Sequence, residues 1–130
     1  MTPPSSPRAG RSTDIALSDL IRDFGPWRAK RHPRWTWQDE AQNVVTRMCL
    51  CCGRPGHYQQ VLEAHIAANG MEGMGVYLKE GFVGDGHHRV VAAMNLGIDR
   101  IPVESKQDTE ARWLRDHGPV SWEERKFGDV

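Results

Sequence analysis

A carboxylate, two imidazoles and a guanidinium fall within the run Asp85-Gly86-His87-His88-Arg89, with a further glycine, Gly84, in front. A β-type run leads in and a helical pattern follows, so the cluster marks a strand-to-helix junction. The N–H groups of a helix's first turn lack intrahelical acceptors and carry partial positive charge. Glycines ahead of that turn keep side chains clear of a bound anion. His87, His88 and Arg89 add donors at the same place, and an arginine grips an oxyanion through two parallel bonds. Gly84, Gly86, His87, His88 and Arg89 thus have the chemistry of a phosphate site. Histidines also exchange protons near neutral pH, which makes His87 and His88 candidate catalytic groups beside Asp85. Adjacent helix positions point about 100° apart, so one imidazole is expected to be structural. Asp85 has three readings: a cap for the helix, a partner for Mg²⁺, or a base.

A second cluster is Cys49, Cys52 and His57. The Cys-x2-Cys spacing, with His57 after four more residues, looks like the first three ligands of a zinc knuckle. The fourth, a cysteine, belongs where Leu62 stands, and His65, the nearest substitute, falls in a helical pattern. The competing reading is a set of reduced, partly buried thiols beside a glycine- and proline-rich loop, and no metal is assigned. A third group, Arg28, Lys30, Arg31, Arg34 and Trp35, mixes basic and aromatic residues as nucleic-acid contacts do. Tryptophans packed at a core edge under stacked arginines explain the same pattern.

The elements that must position these groups are short. Leu17, Leu20, Ile21 and Phe24 form a helical stripe starting near Thr13 or Asp14 and stopped by Gly25-Pro26. Pro26 and Pro33 predict an extended loop through Trp27–Trp37. Thr36 to Asp39 reads as a capped start for a helix carrying Trp37, Ala41, Val44, Val45 and Met48. A helix over 58–68 should turn Val61, Leu62, His65 and Ile66 inward, with Tyr58 a further candidate, and end at Asn69-Gly70. Val76–Leu78 and Phe82–Val83 form a hairpin through Lys79-Glu80-Gly81. After the glycine–histidine turn, Gly97 closes the helix and Ile98–Val103 returns as a strand. Thr109–His117 is a short helix ended by Gly118-Pro119, and Ser121 to Glu124 fits a capping box.

With 130 residues there is room for one modest core. Lys plus Arg and Asp plus Glu are both 17, so net charge announces neither nucleic acid nor membrane. Residues 1–34 nevertheless carry seven Lys or Arg against three Asp, a local +4 that leaves −4 elsewhere. Such a basic arm suits either a polyanion partner or plain solvation. No apolar run reaches the ~18 residues that span a bilayer. The Pro/Ser/Arg-rich start is no secretory signal, and three clustered cysteines make no disulfide framework. A soluble, cytoplasmic protein is expected, with residues 1–12 a disordered tail, 13–56 a helical and loop extension, and 57–130 the main domain.

The order helix, glycine, hairpin, Asp85-Gly86-His87-His88-Arg89, Ala92-Ala93, Leu96-Gly97, Ile101-Pro102-Val103 resembles the ParB N-terminal/sulfiredoxin-like superfamily over residues 58–104. The resemblance implies a small α/β (α+β) fold, a short mixed sheet flanked by helices. It implies a nucleoside triphosphate, ATP or CTP, held with Mg²⁺ by Gly84 to Arg89. Members include CTP-dependent partition proteins, ATP-dependent sulfiredoxins, a free-serine kinase and stand-alone domains labelled ParB-like nuclease. His87 stands where sulfiredoxins place their reactive cysteine, so that chemistry is not expected. The stretch after Val103 is too short for the helix-turn-helix module of a partition protein. The leading expectation is therefore a stand-alone ParB-like nuclease-type domain acting with or on DNA. The alternatives are a small-molecule phosphotransferase resembling the serine kinase, and a binding module without catalysis.

Overall fold

The computed structural model describes residues 13–49 and 52–117. The expected tail over 1–12 and the capping box at Ser121 lie outside those residues.

The chain opens with β1 (Asp14–Ala16) and α1 (Leu17–Asp23), then β2 (Gly25–Pro26) and a 3-10 turn (Trp27–Lys30). Next come α2 (Trp37–Thr46), α3 (His57–Asn69), β3 (Tyr77–Lys79), β4 (Phe82–Asp85), α4 (His87–Leu96), β5 (Arg100–Pro102) and α5 (Lys106–His117). β2 runs parallel to β4, and β4 antiparallel to β3. β1 pairs antiparallel with β5, with Ile15 opposite Ile101. A parallel bridge between Val76 and Val103 joins the two sheets, with Val76 N–H donating to Pro102 O at 2.9 Å. The result is a small α/β domain with a short mixed sheet, as expected.

α4 is the central helix. Val90, Val91, Ala92 and Ala93 are all fully buried, so consecutive positions face protein on every side. Two alanines let α1, α2 and α3 approach its axis, while the valines fill the space towards Leu20, Val44, Ile66 and Val83. Each buried valine contributes ~1.5–3 kcal/mol over its exposed state. This anchors the helix whose first turn carries the histidines.

Several expectations need correction. The first helix begins at Leu17, not Thr13 or Asp14, because residues 14–16 pair with β5. The loop after Pro26 is not wholly extended: proline's fixed φ of −66° leads into the 3-10 turn. On α3 the inward face is Gln59, Leu62 and Ile66, whereas Val61 and Tyr58 are 54% and 53% exposed and His65 is exposed. The face is rotated because Gln59 Nε2 reaches across to His88 O at 3.0 Å. α5 starts at Lys106, where Ser105 Oγ accepts from Asp108 N–H at 3.1 Å. Its Ala111 and Leu114 are exposed.

Candidate functional site

β4 passes into α4 through the single residue Gly86, the strand-to-helix junction expected here. Gly86 is the N-cap residue, with φ at +104°, a region that a side chain disfavours. A Cβ there would lie 2.8 Å from Val76 Cγ1, so the close approach of strand and helix also requires glycine. No side chain caps α4. Asp85, for which a cap is one of the three readings, turns away, and its Oδ2 accepts from Arg112 Nη2 at 2.5 Å. The same Nη2 donates to Glu104 Oε1 at 2.9 Å, and Thr109 Oγ1 donates to that oxygen at 3.0 Å. Burial opposes the charge on Arg112, but the bonds to Glu104 and Asp85 outweigh it and raise its pKa further.

Arg89 Nη1 donates to Gly75 O at 2.6 Å. Burial lowers its pKa below the usual arginine range, and the neighbouring Arg112 guanidinium adds to the fall. The carboxylates of Asp85 and Glu104 act in the opposite direction and offset the charge of the two guanidinium groups in this partly desolvated corner.

A polar residue looks out towards each imidazole from an otherwise apolar helix face. Glu40, 4% exposed, lies between Trp37 and Val44 on α2, and its Oε2 is 3.4 Å from His87 Nε2. Its Oε1 accepts from Trp35 Nε1 at 2.7 Å. Gln59, 2% exposed on α3, places Oε1 2.7 Å from His88 Nδ1. Arg47 Nη1 lies 3.3 Å from His88 Nε2. An arginine only donates, so these two partners assign His88 the tautomer with its proton on Nδ1. Tyr58 closes over His88 edge-on, ring centres 4.8 Å apart. His88 is the structural imidazole of the pair, and His87 faces open space.

That space consists of two cavities sharing His87 as a wall. One, of about 350 Å³, lies between α4 and the loop after β2 and is lined by Trp27, Arg28, Arg31, Arg47 and Gly84. The other, of about 130 Å³, is bounded by Tyr58, Asp85, Gly86, His88, Arg89 and Arg112. Of the basic and aromatic candidates, Arg28 and Arg31 reach the larger cavity. Arg28 also stacks on Trp35, 4.9 Å from the ring centre. Lys30 is diverted to Trp27, at 4.7 Å, and to Glu80 Oε1, at 2.5 Å. Arg34 stays exposed in the following turn. Cys49, Cys52 and His57 come together, their ligand atoms all within 4.8 Å of one another. Leu62 is buried in the core, and His65 instead pairs with Asn69.

Sequence reasoning missed Glu40, Arg47, Gln59, Glu104 and Arg112. For Glu40 and Gln59 a signal existed: each is a polar residue at core spacing, 37–40–44 and 59–62–66. Arg112 and Glu104 reach the site from the far end of the chain and left no local trace.

Fold and site together define a small α/β domain whose central helix opens on two arginine-lined cavities. Comparison with family models, curated proteins and solved structures returned no match. Among the described residues no helix is long and apolar enough to cross a membrane.

Proposed function

We propose that this domain binds a nucleoside triphosphate at the start of α4 and works with or on DNA, as a stand-alone ParB-like nuclease-type domain would. One observation carries the reading: the two cavities beside that helix end draw five arginines, Arg28, Arg31, Arg47, Arg89 and Arg112, around His87. Helix dipole and guanidinium groups favour the same ligand charge, and a polyphosphate has the length to meet both. The resemblance of residues 58–104 to ParB/sulfiredoxin-like domains supports the same class of ligand. Mg²⁺ enters with the phosphates and their water, since Asp85 is engaged by Arg112. DNA is the proposed macromolecular partner, met by the exposed arginines of the 28–34 turn.

A second reading, phosphate transfer to a small acceptor, is favoured by the His87–Glu40 contact. An imidazole backed by a carboxylate is a positioned base for an acceptor hydroxyl.

Calorimetry with ATP, CTP and GTP, with and without Mg²⁺, tests the ligand. The double variant Arg28→Ala/Arg31→Ala removes two exposed charges and should keep the fold. Each lost charge-assisted bond costs ~1.5–3 kcal/mol, so affinity should fall by about 100-fold or more. Unchanged affinity in that variant refutes the site. Duplex DNA binding with a steep salt dependence supports the first reading, and phosphorylation of a small acceptor supports the second. Binding with neither activity leaves a non-catalytic module.

A further inference from the structure

The segment between α2 and α3 folds back on itself. Met48 bridges Pro55 antiparallel, Cys49 N–H donates to Arg54 O at 3.1 Å, and Gly53 N–H donates to Cys49 O at 2.7 Å. Gly56 N–H then donates to Arg47 O at 2.8 Å, and His57 starts α3. Gly56 has φ +73°, and a Cβ on it would lie 2.6 Å from Val45 O, so only glycine lets the returning strand pass this close. The consequence is chemical. Backbone turns of this tightness bring the Cys49 and Cys52 sulfurs to one side and set His57 Nδ1 against them, 3.1 Å from Cys52 Sγ.

We propose that Cys49 Sγ, Cys52 Sγ and His57 Nδ1 bind one Zn²⁺, with solvent in the fourth position. Bond lengths of ~2.3 Å to sulfur and ~2.0 Å to nitrogen make the ligand–ligand edges of a tetrahedral site about 3.5–3.8 Å. The three atoms already lie within 4.8 Å of each other, so closing the site takes side-chain movement of about 1 Å. Two sulfur ligands and an imidazole suit a soft, tetrahedral ion and not Mg²⁺ or Ca²⁺. Charge also fits. Binding releases the two thiol protons to water, and two thiolates with a neutral imidazole cancel the charge of Zn²⁺. A neutral centre is the form that the buried position of Cys49 tolerates. The ion joins the end of α2 to the start of α3, and so holds Arg47 on one side and Tyr58 on the other.

This site is independent of the nucleotide reading, and its test reads metal directly. The full chain, purified under reducing conditions, is analysed for zinc by mass spectrometry and titrated with Zn²⁺ against a chromophoric chelator. The expected result is about one equivalent per chain. Cobalt substitution should give the intense visible bands of a tetrahedral site with thiolate ligands. Cys49 is buried, so the exposed Cys52 and half-buried His57 carry the mutational test. Cys52→Ser and His57→Ala should lose the ion while circular dichroism still reports the helices, and Cys51→Ser should retain it. No uptake by the reduced chain, full uptake by Cys52→Ser, or a Cys49–Cys52 disulfide under reducing conditions overturns the proposal. Loss in Cys51→Ser equal to that in Cys52→Ser overturns the ligand set.

Discussion

Glu40 Oε2 lies 3.4 Å from His87 Nε2, which makes a carboxylate buried in α2 the backing of the imidazole that faces both cavities. The same carboxylate is anchored by Trp35 Nε1 at 2.7 Å. Its position sets a conflict. Under the proposed function, a negative charge on the cavity wall weakens polyphosphate binding while it orients a base for chemistry.

Glu40→Gln separates the two effects. The amide oxygen still accepts from Trp35, so stability should change by less than about 1 kcal/mol. Removal of one charge about 5–8 Å from a bound phosphate, at an effective dielectric near 20, tightens polyphosphate binding by roughly 30- to 300-fold. Calorimetry with Mg²⁺-ATP or Mg²⁺-CTP checks the direction. Weaker binding in the variant would mean that Glu40 contacts the ligand or its metal, and the cavity assignment would need to change.

Gly86→Ala tests the junction itself. The alanine must adopt φ near +104° and place Cβ 2.8 Å from Val76 Cγ1, a side chain with no freedom to withdraw because it is fully buried. Left-handed backbone costs ~1–2 kcal/mol and overpacking adds ~1–3 kcal/mol, so the loss should be about 2–5 kcal/mol. Urea denaturation measures it. A loss below about 1 kcal/mol would show that strand and helix can separate at low cost.

The parts of this fold written in short-range signals were legible from the chain. Thr36 and Asp39 form the capping box, with Thr36 Oγ1 accepting from Asp39 N–H at 3.1 Å and Asp39 Oδ2 from Thr36 N–H at 2.9 Å. The hairpin turns at Glu80 and Gly81, both with positive φ, and Gly97 closes α4 in the left-handed conformation. What was not legible depends on partners far away in sequence. Asp14–Ala16 is too short to form a strand alone and does so only because β5 offers it an edge. Asp85 looked like a cap because the nearest amides are local, whereas the charge that claims it, Arg112, stands 27 residues on. The orientation of α3 was set by a glutamine that an apolar-stripe argument discounts, although burying Gln59 satisfies His88.

The Lys30–Glu80 pair gives a pH signature for the contact between the basic loop and the hairpin. The Lys30 hydrogen bond, aided by its charge and that of Lys79, holds Glu80 below the usual carboxylate range against the opposing effect of desolvation. A depressed carboxylate stabilises the fold fully above its unfolded pKa, and that contribution fades as pH falls through the folded value. The stability difference between wild type and Lys30→Met should therefore be present at pH 7 and shrink below about pH 4. Added salt should reduce it, because both partners are solvent-exposed. Denaturant melts across pH provide the measurement, and a difference that grows in acid would exclude the pair as its source.

Arg112 is the residue on which the smaller cavity depends, since its Nη2 pairs with both Asp85 and Glu104. The side chains of all three are mostly buried, 20%, 12% and 17% exposed, so water compensates little when one is lost. Arg112→Met keeps the volume, strands two carboxylates, and should cost about 2–4 kcal/mol. Asp85→Asn in that background removes one stranded charge and should recover part of the loss, with a coupling energy above about 1 kcal/mol in a double-mutant cycle. Polyphosphate affinity should fall too, because the cavity then keeps Arg89 alone against Asp85. Additive effects within about 0.5 kcal/mol would mean that Arg112 and Asp85 do not act as a pair, and α5 would then have no part in holding the start of α4 open.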